Sequence, residues 1–184
     1  MSRIDPVDYT TARGHTKELL DAVKAALGAT PNMTTTMAHS GVLEGWLGLN
    51  TALRRGSISS ADGERIALAV AETNECSYCL SAHTYLATAV AHLEDDEIER
   101  ARLFESSDPA SAAVLTFARA VVEKKGLVSD GDVDAAHGAG LTVAQLGDIV
   151  GHVAVNLLTN YFNRAFDVDV DFPVVHPRER RPAA

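Results

Sequence analysis

Apolar residues recur along the chain at intervals of three and four, with little strict alternation, and that period belongs to helices. Leu19, Leu20, Val23 and Leu27 share one face of a helix from about Thr16, with Gly28 as its stop. Thr30-Pro31 pairs a cap with a first-turn proline and predicts a short helix to about His39. Val42, Trp46, Leu49 and Leu53 form the next stripe, ended by Gly56, and Trp46 is assigned to the core. Ser59 and Ser60 are N-cap candidates for a helix carrying Glu64, Ile66, Leu68 and Val70. Asn74 marks an interruption, since Asn prefers caps and turns to helix interiors. A further helix begins at the cysteines and runs to about Leu93.

The second half is punctuated more strongly. The acidic run Glu94-Asp95-Asp96-Glu97 suits the positive end of a helix dipole. Asp108-Pro109 opens a helix to about Lys125, ended by Gly126, and Ser129 opens a short one that stops near Gly138. Thr142 and Gln145 make a capping box at the head of the longest helix, which runs to about Phe166. No hairpin and no βαβ alternation is present, although residues 167–175 alternate Val and Asp. The expected fold is all-α, a bundle of about eight helices in a single domain over 1–184. Residues 1–15 form an N-terminal arm in this reading and 176–184 a loose C-terminal tail.

Composition narrows the partners. A chain of 184 residues with 46% hydrophobic and 22% charged residues is long enough to bury a core. Its formal charge of −9 repels phosphate backbones and anionic lipids, so neither nucleic acid nor membrane is an expected partner. No apolar run approaches the roughly 20 residues of a membrane helix. The opening MSRIDPVDYT lacks the apolar centre of a signal peptide, and a cytoplasmic location is expected.

Both cysteines of the chain fall in one segment, ERIALAVAETNECSYCLSAHTY, as Cys76 and Cys79. Two thiols separated by two residues on a first helical turn come within disulfide reach. A helix N-terminus and a neighbouring imidazole favour thiolate, the reactive form. His83 lies four residues after Cys79, on the same helical face, and is placed to take its proton or pair with its thiolate. Three blander or different readings stand beside this one. Buried cysteines serve as packing. Cys76, Cys79 and His83 would supply three zinc ligands. A thioredoxin fold needs a strand before the motif, and none is predicted. The assisting acid is left open: an unbroken helix puts Glu72, Cys76, Cys79 and His83 in one stripe, whereas a break at Asn74 lets Glu64 fold back beside the thiols. Glu75 fits neither geometry. His152, four residues after Asp148 and four before Asn156, is assigned to a satisfied structural network.

Glu64, eleven residues, Cys76-Ser-Tyr-Cys79, three residues and His83 together resemble the signature of the AhpD-like alkylhydroperoxidases of the carboxymuconolactone decarboxylase superfamily. The likeness extends more loosely to MAHSGVLEGWLGL and NLLTNYFNRAFDVDVDFPVV. It implies an all-helical fold, assembly as a homotrimer or homohexamer, and a thiol-dependent peroxidase that reduces hydroperoxides with electrons from a thiol or dithiol reductant. No cofactor and no metal is expected. Within the resemblance Glu64 and His83 relay protons to Cys79, which attacks the peroxide, and Cys76 resolves the oxidised sulfur. Tyr78 stands where some relatives carry a relay histidine, so it and Glu72 are secondary relay candidates. The decarboxylase branch lacks the cysteine pair. A redox-sensing or zinc-binding module without turnover is the competing expectation.

Overall fold

The computed structural model describes residues 2–179, and nine helices occur among them, with no strand. They are α1 (Gly14–Leu27), α2 (Asn32–Met37), α3 (Val42–Leu53), α4 (Ser60–Thr73), α5 (Ser77–Ala89), α6 (Asp95–Ala101), α7 (Pro109–Glu123), α8 (Asp130–Gly138) and α9 (Val143–Phe166). The all-α expectation holds, with one helix beyond the count of about eight. Among these residues no single helix is long and apolar enough to cross a membrane.

Helix starts follow the local chemistry of the chain. Ser59, Asp108, Ser129 and Thr142 each accept a backbone N–H of their own first turn through the side chain. Ser129 with Asp132, and Thr142 with Gln145, close full capping boxes. The Thr30-Pro31 signal is displaced by one residue. Pro31 is itself the cap of α2, with extended ψ of 150°, and its carbonyl accepts the N–H groups of Thr34 and Thr35.

Helix α4 is the hub, buried on every side from Arg65 to Ala71. Ile66, Ala69 and Val70 enter a core with Leu115, Ala118, Ile149 and Val153 of α7 and α9. Leu68 and Ala71 enter a second core with Cys76, Cys79, Leu80 and Ile98. A third, around Leu20, Val23, Met37 and Leu43, joins α1 to α2 and α3.

The ends of the described chain are tied to the body. The Arg3 N–H donates to the Phe166 carbonyl, Val7 to that of Thr35, and Ala12 is buried. Beyond α9, residues 168–178 run back as an extended strap with no β partner. Val168, Val170, Phe172 and Val175 pack on the second core, and the Val175 N–H donates to Ser81 Oγ at 2.8 Å. Arg178 closes the strap by donating its backbone N–H to Glu72 and its guanidinium to Glu99. Residues 180–184 of the expected tail lie outside the described residues.

Candidate active site

The site is built at the break between α4 and α5. Asn74 caps α4, and its amide donates to the Val70 carbonyl at 2.9 Å and to Asn160 Oδ1 at 3.0 Å. Glu75 then takes a left-handed φ of 53°, unusual for a residue with a Cβ. This turn makes Cys76 the N-cap of α5, where its sulfur accepts the Cys79 N–H at 3.3 Å. The two sulfurs are 2.8 Å apart and unbridged, each almost wholly buried.

Electrostatics separate the two thiols. The hydrogen bond from Cys79 holds the Cys76 thiol below its ordinary range against the opposing effect of burial, helped by the positive charges of His83 and Arg164. Burial pushes Cys79 well above that range, and the engagement of its proton by Cys76 adds to the rise. Asn163 Nδ2, 3.2 Å from Cys79 Sγ, and Asn160 work in the opposite direction, toward thiolate.

Glu64 and His83 meet across the α4–α5 angle, with His83 Nδ1 2.8 Å from Glu64 Oε2 and the side chains 20% and 23% exposed. Burial disfavours the imidazolium, but the Glu64 carboxylate outweighs it and the net effect raises the His83 pKa. The carboxylate fixes one ring nitrogen and leaves Nε2 for proton exchange. A cavity of about 600 Å³ opens on this constellation. Cys79, His83, Glu64 and Tyr78 form its polar end, while Trp46, Leu47, Leu86 and Phe172 give it apolar walls. Trp46, assigned to the core, is half-buried, packing against the third core and lining this wall of the cavity. Among the described residues no three His, Cys, Asp or Glu side chains are grouped to hold a metal ion.

Residues 41–124 match the carboxymuconolactone decarboxylase family model. Solved structures overlay nearly the whole chain. The AhpD-core, peroxidase-related protein of Ralstonia eutropha JMP134 superposes with a TM-score of 0.82 at 22% identity, covering 92% of each chain. A peroxidase-related protein of Silicibacter sp. TM1040 gives 0.78 at 20%, covering 91% of each. The debrominase Bmp8, in a variant complexed with 2,3,4-tribromopyrrole, gives 0.74 at 20%, covering 90% of each. The family match spans less than half of the chain, and over nearly its whole length the fold is AhpD-like. No curated protein sequence matches the chain.

The AhpD-like fold brings Cys76, Cys79, His83 and Glu64 together but not Glu72. The Glu72 carboxylate is taken by Arg102 Nε at 2.8 Å and by the Arg178 N–H at 2.7 Å, so it ties α4 to α6 and the strap. Tyr78 is pinned as well as buried. Its hydroxyl donates to Asp171 Oδ1 at 2.9 Å and accepts the Met33 N–H at 3.1 Å, and burial raises its pKa far above the ordinary phenol value. The network assigned to His152 is not the one observed. Asp148 turns instead to the N–H and hydroxyl of Ser57, both at 2.6 Å, and buried His152 Nε2 has no partner among the described residues. His152 lines the cavity, with its ring stacked so close to Gly63 that a Cβ there would lie 3.1 Å from Cε1. Desolvation lowers its pKa and keeps it neutral. No spacing in the sequence points His152 or Asn163 to the site, because each reaches it from α9 through tertiary packing.

Proposed function

We propose that the chain is a thiol-dependent peroxidase that reduces hydroperoxides through a Cys76/Cys79 dithiol–disulfide cycle. The observation that carries this reading is two free thiols in contact at a helix N-terminus beside a Glu64–His83 pair, with Cys79 and the pair facing one cavity. Cys79, as thiolate, attacks the distal peroxide oxygen; the S–O bond forms as the O–O bond breaks. The departing alkoxide takes a proton from His83, whose charge Glu64 supports. Cys79 is then a sulfenic acid and the peroxide an alcohol. Cys76 attacks the Cys79 sulfur, the S–S bond forms, and the hydroxide leaves as water after protonation. A thiol or dithiol donor returns two electrons and restores both thiols.

Tyr78 acts in this scheme as a fixed wall of the cavity. The setting proposed is the cytoplasm, where thiols are kept reduced, and the form a homotrimer or homohexamer. Tyr85 on α5 and Leu158 and Tyr161 on α9, all substantially exposed, support assembly through those helices. The deciding experiment follows consumption of cumene hydroperoxide with a dithiol as donor. Wild type turns over, Cys76→Ser and Cys79→Ser do not, and mass spectrometry finds the loss of two hydrogens in the peptide spanning both cysteines. A disulfide that forms without turnover would sink the peroxidase in favour of a redox sensor. Stoichiometric zinc in the purified protein would favour the metal-binding module. Bromide release from 2,3,4-tribromopyrrole without peroxide reduction would assign the dithiol to reductive dehalogenation.

A further inference from the structure

Helix α9 turns an unusual set of side chains inward for a core helix: Asn156, Thr159, Asn160 and Asn163 are all at least nine-tenths buried. Two of these amides stand at the Cys79 sulfur. Asn163 Nδ2 donates to it at 3.2 Å, and Asn160, wholly buried, lies beside it with its oxygen already taken by Asn74. Asn160 Nδ2 has no hydrogen-bond partner among the described residues. A buried donor left unfilled costs stability, and an apolar side chain would pack here without that cost. The donor therefore has its use in a state other than the resting one.

That state is available by moving one proton. In the resting pair the two sulfurs are in hydrogen-bond contact at 2.8 Å, and negative charge is better placed on Cys76. When the proton passes to Cys76, the Cys79 sulfur becomes an anion with unused acceptor capacity, and two amide donors already face it. Both donors are neutral, so they stabilise the anion without quenching its nucleophilicity in an ion pair. Cys79 lines the cavity, whereas neither asparagine does. The amides hold the sulfur from behind and leave its cavity face open to an electrophile.

We propose that Asn163 and Asn160 form a two-donor cradle that holds Cys79 as the thiolate and makes it, rather than Cys76, the attacking sulfur. Asn163 touches the reacting atom and is a catalytic residue in this sense. The identity of the electrophile rests on the peroxidase reading; the ionisation of Cys79 does not. The other titratable or charged groups around the pair are His83 with Glu64, Arg164 of α9, and Tyr78 with Asp171 of the strap.

The test uses the full chain with Cys76→Ser, so that Cys79 is the sole thiol, and no peroxide. Iodoacetamide alkylation is followed against pH together with the ultraviolet absorbance of the thiolate. Asn163→Leu raises the pH midpoint and slows alkylation at neutral pH by about ten- to a hundredfold, the scale of one charge-assisted hydrogen bond. Asn160→Leu slows it by about tenfold. Helical circular dichroism confirms folding, and Asn163→Ala gives the same shift if the leucine variant does not fold. A folded asparagine variant whose midpoint equals that of its parent overturns the cradle. If wild type proves inert toward hydroperoxides while the midpoint still depends on the asparagines, the peroxidase reading fails and the cradle stands.

Discussion

The two faces of α4 live in different kinds of core. Toward α7 and α9 its side chains meet Leu115, Ala118, Ile149 and Val153, and the helices around them begin at caps written in their own first turns. Toward α5 the interior holds two thiols, an imidazole–carboxylate pair and a row of amides, with a left-handed residue in the connecting turn. The first face is closed by apolar packing and by helices with side-chain caps. The second carries a left-handed Glu75 directly before Cys76 and an unpaired Asn160 amide donor beside Cys79. The first face serves packing and the second gathers the reactive groups, where departures from local rules are expected.

Mutations sharpen this contrast, and the largest effects belong on the thiol face. His83→Gln lowers peroxide turnover by about 10²–10⁴-fold, the range of a general acid–base group, with little change in melting temperature. Glu64→Gln does so more weakly, and Glu72→Gln leaves turnover near wild type because its carboxylate serves Arg102 and Arg178. A Glu72 variant as crippled as the His83 variant would erase the distinction between tie and relay. On the opposite face Leu115→Ala removes about 2–5 kcal/mol of stability, read by denaturant titration. Its turnover per folded molecule stays unchanged.

Smaller effects come from titration. Glu97 is 15% exposed, and hydrogen bonds from Ser107 and Ser106 with the charge of Arg65 overcome its burial and depress its pKa to about 2. A depressed carboxylate contributes stability above its unfolded value of about 4.5 and loses it as pH falls toward 2. Glu97→Gln therefore flattens the fall in stability over that acid window, and an unchanged slope would count against the assignment. The smallest effect is expected from His83, whose pKa is raised above 6.5 mainly by Glu64 working against burial. Its contribution is fully present below about 6.5 and is lost as pH rises through the folded value, so Glu64→Gln removes a mild alkaline decline in stability.

How far the sequence could be read divides along the same line. Caps at Ser59, Asp108, Ser129 and Thr142 were visible because donor and acceptor lie within one turn. The grouping of Cys76, Cys79 and His83 was visible because helical spacing places them, and a break at Asn74 brings Glu64 to His83. Spacing alone left Glu72 in contention, since nothing local reveals that Arg102, thirty residues away, takes its carboxylate. Asn163 reaches Cys79 across eighty-four residues, and His152 loses Asp148 to Ser57 across ninety-one. The Val–Asp alternation of residues 167–175 was assigned to no element, and the strap it forms is read only from its packing.

That strap carries a kinetic consequence. Val175 is fastened to Ser81, Asp171 to Tyr78, and Arg178 to Glu72 and Glu99, so one side of α5 is roofed while Cys79 faces the cavity. On the peroxidase reading, oxidant and electron donor both reach Cys79 through this cavity and visit in turn. Such a queue gives parallel lines in double-reciprocal plots, with each partner inhibiting the other when supplied in excess. It also favours a slender dithiol as donor over a folded protein whose own cysteine sits on a broad surface.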